Sequence, residues 1–185
     1  MNINLLDVSG FLVLHSISLS YDERRAEQCV VSLPDKPRES IITALIKRGP
    51  SHAKFLRCIH VHMVIAAPRY WFAEFDTYKI GVTAWSQSTM HTLTKRKLER
   101  EDFVPGIPQE SIDIVNSIID GGDLIRAKAA LPEGFLQARY VCANYQALRT
   151  MYQQRRKHRL VEWRGFCTFL ETLPHAEYIT GDSDG

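Results

Sequence analysis

The run Cys58 to Ala66 is the stretch that most limits what this chain can fold into. Ile59, Val61, Met63 and Ile65 fall on one side of it, and His60, His62 and Val64 on the other. Extended backbone turns successive side chains to opposite faces, so the run is a strand with one apolar face. Two residues later Pro68 suits the first turn of a helix, where its missing N–H costs nothing. The segment Pro68 to His91 that follows carries an aromatic stripe, the charges Glu74, Asp76 and Lys79, and a Ser/Thr-rich exit. So much polar and aromatic chemistry on one short element marks a candidate site wall.

Within that segment Trp71, Phe75 and Tyr78 recur at i, i+4 and i+7, one stripe of a helix that Gly81 would end at its C′ position. A stripe of this kind is usually core. Glu74 and Lys79 lie off it and are free to face a cleft or a second subunit. His60 and His62 share a strand face, yet no carboxylate or cysteine stands at matching spacing. They read as half-exposed histidines facing a neighbouring element, and no metal site is predicted.

The chain has 185 residues, enough for one domain with a sizeable core. We expect a single domain over 1–178 and a disordered tail over 179–185. The apolar fraction of 45% and charged fraction of 24% are those of an ordinary globular protein. A net charge of +2 gives no argument for nucleic acid. No apolar run is long enough to span a bilayer and no basic n-region opens the chain, so a cytoplasmic protein is expected. Cys29, Cys58, Cys142 and Cys167 are scattered without a C-x-x-C pair, which suggests reduced thiols and not a disulfide frame.

Elsewhere, Leu5 to Val13 reads as an opening strand broken at Ser9-Gly10, and Pro34 to Pro37 as loop. Arg38 to Arg48 reads as a short helix closed by Gly49-Pro50. Lys95 to Glu101 is a solvated charge run. Gln109 to Asp120 is an amphipathic helix stopped by Gly121-Gly122, and Asp123 caps a further helix to Ala130. Gly134 to about Leu160 reads as the longest helix, with Val141, Tyr145, Leu148 and Tyr152 on one stripe. A last helix covers Glu162 to Leu173.

No Gly-rich phosphate loop, catalytic triad order or metal cluster appears. What remains is a set of basic and polar side chains suited to phosphate: Lys54 and Arg57 before the strand, Lys79, Lys128, and Asn144, Arg149 and Arg155 on the longest helix. Arginine suits that work because its planar fork grips two oxygens at once. On a continuous helix Asn144 and Arg155 would point about 20° apart, with Arg149 on another stripe. Both stripes serve ligands only if the helix lies between two sites or at an interface between chains. Taken alone, surface arginine is the favoured reading.

Leu124 to Arg155 resembles the C-terminal half of the flavin-dependent thymidylate synthase family. Asn144 follows Pro132 by twelve residues, Arg149 follows Asn144 by five, and Arg155 follows Arg149 by six, the family's intervals. Val161-Glu162-Trp163-Arg164 and Asn4-Leu5-Leu6-Asp7 loosely resemble two further family segments. The Trp71 to His91 run is similar to relatives encoded by phages and prophages. The resemblance spans nearly the whole chain and departs at the family's catalytic centre. Thr77-Tyr78-Lys79 stand near the family's Arg-His-Arg. In the Ser-x-Asn-Glu-x-Ser-x-Arg segment that follows, Ser86 and Gln87 stand for the Asn-Glu, Thr89 for the serine and His91 for the arginine. Glu74 replaces a nucleotide-contacting Gln, Lys128 replaces a phosphate-binding Arg, and the Glu-His that touches flavin is replaced within Lys54 to Arg57.

The resemblance implies an α+β subunit with a central, mostly antiparallel sheet flanked by long helices. It also implies a homotetramer whose sites are built by several chains. FAD is the implied cofactor, dUMP or a related pyrimidine deoxynucleotide the implied substrate, and folate and NADPH the implied co-substrates. Site roles follow by position: Glu74, Lys79, Thr89 and His91 for catalysis; Lys128, Arg149, Ser88 and Gln87 for the nucleotide; Asn144, Arg155, Tyr78, Lys54 and Arg57 for the cofactor. Three readings stay open. The chain is a divergent flavin enzyme acting at the pyrimidine C5; or it binds nucleotide or a partner, as a phage accessory factor would, without flavin chemistry; or Glu74, Asp76, Tyr78, Lys79 and His91 form a different acid/base set on the same scaffold.

Overall fold

The computed structural model describes residues 1–17 and 36–181, so Cys29, Pro34 and Asp35 lie outside the described residues. Four strands form one antiparallel sheet: β1 (Asn2–Ser9), β2 (His60–Pro68), β3 (Val82–Ser86) and β4 (Leu136–Asn144), in the order β1-β2-β4-β3. The helices are α1 (Val13–Ser16), α2 (Glu39–Lys47), α3 (Arg69–Phe75), α4 (Thr89–Thr92), α5 (Gln109–Asp120), α6 (Leu124–Ala130), α7 (Tyr145–Arg155), α8 (Val161–Leu170) and α9 (Glu177–Thr180). The fold is α+β, and none of these helices is long, the longest having 12 residues. Among the described residues no helix is long and apolar enough to cross a membrane.

β2 is the strand that the alternation predicts. Ile59, Val61, Met63, Ile65 and Ala67 are buried on one face and pack with Val141 and Ala143 of β4 over the main core. The aromatic stripe is core too. Trp71, Phe72 and Phe75 are buried, and Trp71 sits 4.8 Å from Trp163 and 5.0 Å from Phe75, ring centre to ring centre. Rings at these separations add edge and offset contacts to what their burial contributes. A second cluster, including Leu93, Leu98, Phe103, Ile112, Val115 and Ala127, joins α5 and α6 to the chain before them.

The longest expected helix is wrong in its first third. Leu136–Asn144 is the central strand β4, paired with β2 on one side and β3 on the other, and the helix is only Tyr145–Arg155. Arg139 explains the error. It occupies a core-side position that an apolar residue would be expected to hold, and its guanidinium lies 4.0 Å over the Phe72 ring while pairing with Asp76 at the rim. With its alternation broken, the segment shows helical spacing by chance, and pairing with two neighbours decides the matter. Asn144 is therefore the last residue of a strand and the N-cap of α7, so its expected place on a helical stripe with Arg155 does not hold.

Three smaller expectations also change. α3 stops at Phe75, so Tyr78 is outside it, and Gly81 (φ 77°) is the turn into β3 and not a helix cap. β3 itself escapes the sequence because none of its side chains is buried, which leaves no apolar face to read. Ile179 and Thr180, expected in a disordered tail, form α9 with Tyr178, and Ile179 is fully buried; residues 182–185 lie outside the described residues. The opening strand begins earlier than expected, at Asn2, and ends at Ser9 as the Ser-Gly signal predicts.

Of the three tryptophans only Trp85 is exposed. It is 60% open, and its ring rests on Tyr140 at 3.9 Å, with the Tyr140 hydroxyl bonded to His62 Nδ1. Acrylamide is expected to quench Trp85 alone, so Trp85→Phe should abolish nearly all quenchable tryptophan fluorescence. A second expectation concerns alkaline pH. Burial, then the hydrogen bond to Glu162 and its charge, push the Tyr70 hydroxyl up to about 12. Its contribution is full below about pH 10, where folded and unfolded chains are both protonated. Above that pH the unfolded chain ionises first, and the contribution is lost as pH rises through the folded value. Tyr145 and Tyr178 are shifted in the same sense by burial. The melting temperature should fall from pH 10 upward, and less steeply in Tyr70→Phe.

Candidate functional site

The candidate site grows from the junction of β4 and α7. Asn144 ends the strand in extended backbone, and its Oδ1 accepts a 2.9 Å hydrogen bond from the Ala147 N–H, capping the helix. Its own N–H donates to the Gly81 carbonyl, and the next N–H, of Tyr145, donates to the Ile59 carbonyl. Gly81 is pressed so closely on the cap that a Cβ there would lie 2.5 Å from Asn144 Nδ2. Asn144 is only 9% exposed, and its Nδ2 has no hydrogen-bond partner among the described residues.

A cleft of about 350 Å³ opens at this junction. Residues 77–80 form one wall, and Asn144, Gln146, Ala147 and Thr150 from the first turns of α7 form the other. Arg57, at the end of a 3-10 turn over Lys54–Arg57, lines it as well. Arg57 and Lys79 bring two cations, and no carboxylate is among the described residues that line the space. The start of an 11-residue helix adds a partial positive charge, while the N–H groups of Asn144, Tyr145 and Ala147 are already taken by the Gly81 and Ile59 carbonyls and the Asn144 cap. Such an arrangement favours an anion, above all a phosphate.

Behind the cleft lies a charged knot. Glu74 Oε2 accepts from Arg155 Nη1 at 3.0 Å and from the Trp163 indole N–H at 2.8 Å, and His158 Nε2 lies 3.6 Å away. Arg155 Nε donates to the Tyr78 hydroxyl at 2.8 Å, and that hydroxyl donates to Gln154 Oε1 at 2.8 Å.

The remaining candidates are placed elsewhere. Gln87, Ser88, Thr89 and His91 lie past the far end of β3, which at about 3.3 Å per residue puts them roughly 15 Å or more from Gly81 along the strand. Gln87 lines a separate cavity of about 310 Å³ with Arg96 and Asp102. Lys54 lines a groove with His52 and Cys58. Lys128 sits half-buried on α6, and Arg149 is 5% exposed and donates from Nη1 to the Tyr178 carbonyl of α9. The structure thus gathers Arg57, Tyr78, Lys79 and Asn144 at one cleft and sets Glu74 and Arg155 behind it. Gln146, Thr150 and Gly81 are additions that the sequence reading missed. An Asn closing an apolar run is an N-cap signal, and it would have exposed Gln146 and Thr150 had β4 been recognised.

No family model matches the sequence, and no curated protein matches it significantly. Solved structures do match. Thymidylate synthase X from Helicobacter pylori, with FAD and dUMP, is 15% identical, covers 97% of this chain and 96% of its own, and has a TM-score of 0.72. The UMP/dUMP methylase PolB from Streptomyces cacaoi, bound with 5-Br dUMP, is 16% identical over 92% of this chain and 88% of its own, at a TM-score of 0.67. The chain has the fold of the flavin-dependent thymidylate synthases. Within this thymidylate synthase fold, the cationic cleft is walled by residues 77–80, of which the sequence resemblance sets Thr77-Tyr78-Lys79 near the family's Arg-His-Arg.

The junction itself is testable. Asn144→Ala removes the helix cap and should cost about 1 kcal/mol in urea unfolding. Gly81→Ala should cost as much or more, because it strains a left-handed backbone and drives a Cβ into the Asn144 amide. The double variant should lose less than the sum of the two, since Asn144→Ala removes the amide that the new Cβ strikes.

Proposed function

We propose that this protein is a divergent flavin-dependent enzyme acting at C5 of a pyrimidine deoxynucleotide, by methylation of dUMP or a related modification. The observation that carries the proposal is a cationic cleft at a capped helix N-terminus, with no carboxylate among its described lining residues, within a thymidylate synthase fold. The donor set fits the phosphate-bearing part of FAD. Arg57, Lys79 and the Asn144 Nδ2 would hold it, aided by the partial positive charge at the start of α7, with Tyr78 as the adjoining wall. When bound, a flavin supplies the hydride chemistry, and the chain is left to position and polarise. On this reading folate is the one-carbon donor and NADPH the hydride source.

Gln87, Ser88, Thr89 and His91 form the second half of the proposed site, with Ser88 and Gln87 for the nucleotide and Thr89 and His91 for the reacting end. They lie too far along β3 to meet the cleft of their own chain. A site using both halves is completed by another copy, and a homotetramer is the assembly proposed. Arg149 is engaged within the chain by α9, and Lys54 and Lys128 lie outside the cleft.

One observation favours a second reading, a nucleotide-binding protein without redox activity. Where the family carries Arg-His-Arg, this chain has Thr77-Tyr78-Lys79, one cation in place of three groups able to carry positive charge. A single set of measurements separates the readings. Flavin absorbance in the purified protein, or FAD uptake by calorimetry, together with dUMP-stimulated NADPH oxidation, is expected for the enzyme. Stabilisation by dUMP without FAD uptake or NADPH oxidation would establish the second reading. Binding of neither ligand overturns both.

A further inference from the structure

The geometry assigns Glu74 a positioning role: through Arg155 it fixes the Tyr78 hydroxyl and so holds the wall of the cleft against α7. The inference rests on the cleft being the ligand site.

The wall is residues 77–80, which run antiparallel to α7 and are tied to it at both ends. At the helix N-terminus the Gly81 carbonyl accepts the Asn144 N–H. Toward the helix C-terminus the Tyr78 hydroxyl is held by Arg155 Nε and Gln154 Oε1, each at 2.8 Å. Thr77 and Tyr78 also bond back to the Glu74 and Phe75 carbonyls and the Tyr78 ring packs edge-on to Trp163, whereas Ile80, next to the cleft, is 92% exposed. The space between wall and helix is the cleft itself, lined by Tyr78 and Lys79 on one side and Asn144, Gln146 and Thr150 on the other. Whatever fixes Tyr78 therefore fixes the width of the cleft and the position of the Lys79 backbone.

Tyr78 is fixed by Arg155, and Arg155 by Glu74. A free arginine has many rotamers, and its Nε would meet the Tyr78 hydroxyl only part of the time. Here the guanidinium is bonded through Nη1 to Glu74 Oε2 at 3.0 Å and lies 4.9 Å over the Trp163 ring. The Trp163 indole N–H donates to the same carboxylate oxygen at 2.8 Å, so the anchor is itself anchored in the aromatic core. Glu74 does not line the cleft, and its bonded oxygen is already committed to these donors. A carboxylate so engaged is poorly placed to touch a ligand and well placed to hold the residue that does.

The charge of Glu74 matters as well as its shape. Glutamine at this position would still accept from the Trp163 indole but would pair weakly with a guanidinium, because the bond to Arg155 would no longer be between opposite charges. Glu74→Gln therefore keeps the side chain's volume and its aromatic anchor while loosening the one contact that orients Arg155.

The test compares wild type, Glu74→Gln, Tyr78→Phe and the double variant, with two readouts. Amide hydrogen exchange of residues 77–81 should speed up by about tenfold in each single variant, and no further in the double, because both act through one chain of contacts. FAD affinity, by calorimetry, should weaken by about tenfold in Glu74→Gln and show the same non-additivity. Tyr78→Phe removes a single hydroxyl at the edge of the network and keeps the test valid if Glu74→Gln fails to fold. If exchange in 77–81 is unchanged in both single variants, the positioning role is overturned. If Glu74→Gln weakens FAD binding while the wall stays protected, Glu74 touches the ligand directly and the inference is equally overturned. If the wild-type protein does not bind FAD but the wall loosens as expected, the tether stands and the flavin reading is what fails.

Discussion

The contact on which the rest depends is the helix cap at Asn144. One residue closes the central strand, starts α7 and receives Gly81. The two backbone bonds flanking it, from Asn144 to Gly81 and from Tyr145 to Ile59, join three segments distant in sequence: the turn into β3, the approach to β2 and the start of the helix. Because each of those segments also ends at the cleft, the same few bonds that register the sheet define the ligand space. A capped helix N-terminus has to be reached by strands that stop together, and β2, β4 and the turn into β3 do so here.

That convergence explains what was legible in the sequence. β2 could be read because its burial is one-sided and its period is two, with no polar residue among Ile59, Val61, Met63 and Ile65. α5 could be read because its apolar period is clean and Gly121-Gly122 closes it. β4 could not, because Arg139 replaces an apolar residue at the rim and the Tyr145 to Tyr152 spacing of the true helix extends backward onto Val141 by coincidence. β3 could not, because an edge strand with no buried side chain carries no period at all. Both misread strands are held by pairing, a long-range cause that a local pattern does not contain.

The site was legible to the extent that it depends on residue type and not on direction. Arg57, Tyr78, Lys79 and Asn144 were all named from the sequence, and they converge on the cleft. Arg149 and Arg155 were named on the same grounds and part company. Six residues apart on α7 they lie about 240° around the helix from one another. Arg149 is carried into the buried seam with α9, while Arg155 meets Glu74. The spacing that matches the family is therefore kept for both arginines, yet neither of them lines the cleft.

The charge distribution gives this its physical sense. An acidic residue in the cleft would offset one of its two cations and oppose the helix dipole that makes the site attractive to an anion. Asp76 and Glu74 both lie within five residues of Lys79 in sequence, so keeping them out is a real constraint on the fold. Asp76 is drawn off by Arg139 at the end of the sheet, at 2.8 Å, and Glu74 by Arg155 and Trp163. Arg139 thus has a use that its awkward position in β4 conceals. The residue that spoils the apolar period of the strand is also the one that pairs with Asp76, the carboxylate of the neighbouring groove that Tyr78 and Lys79 line as well.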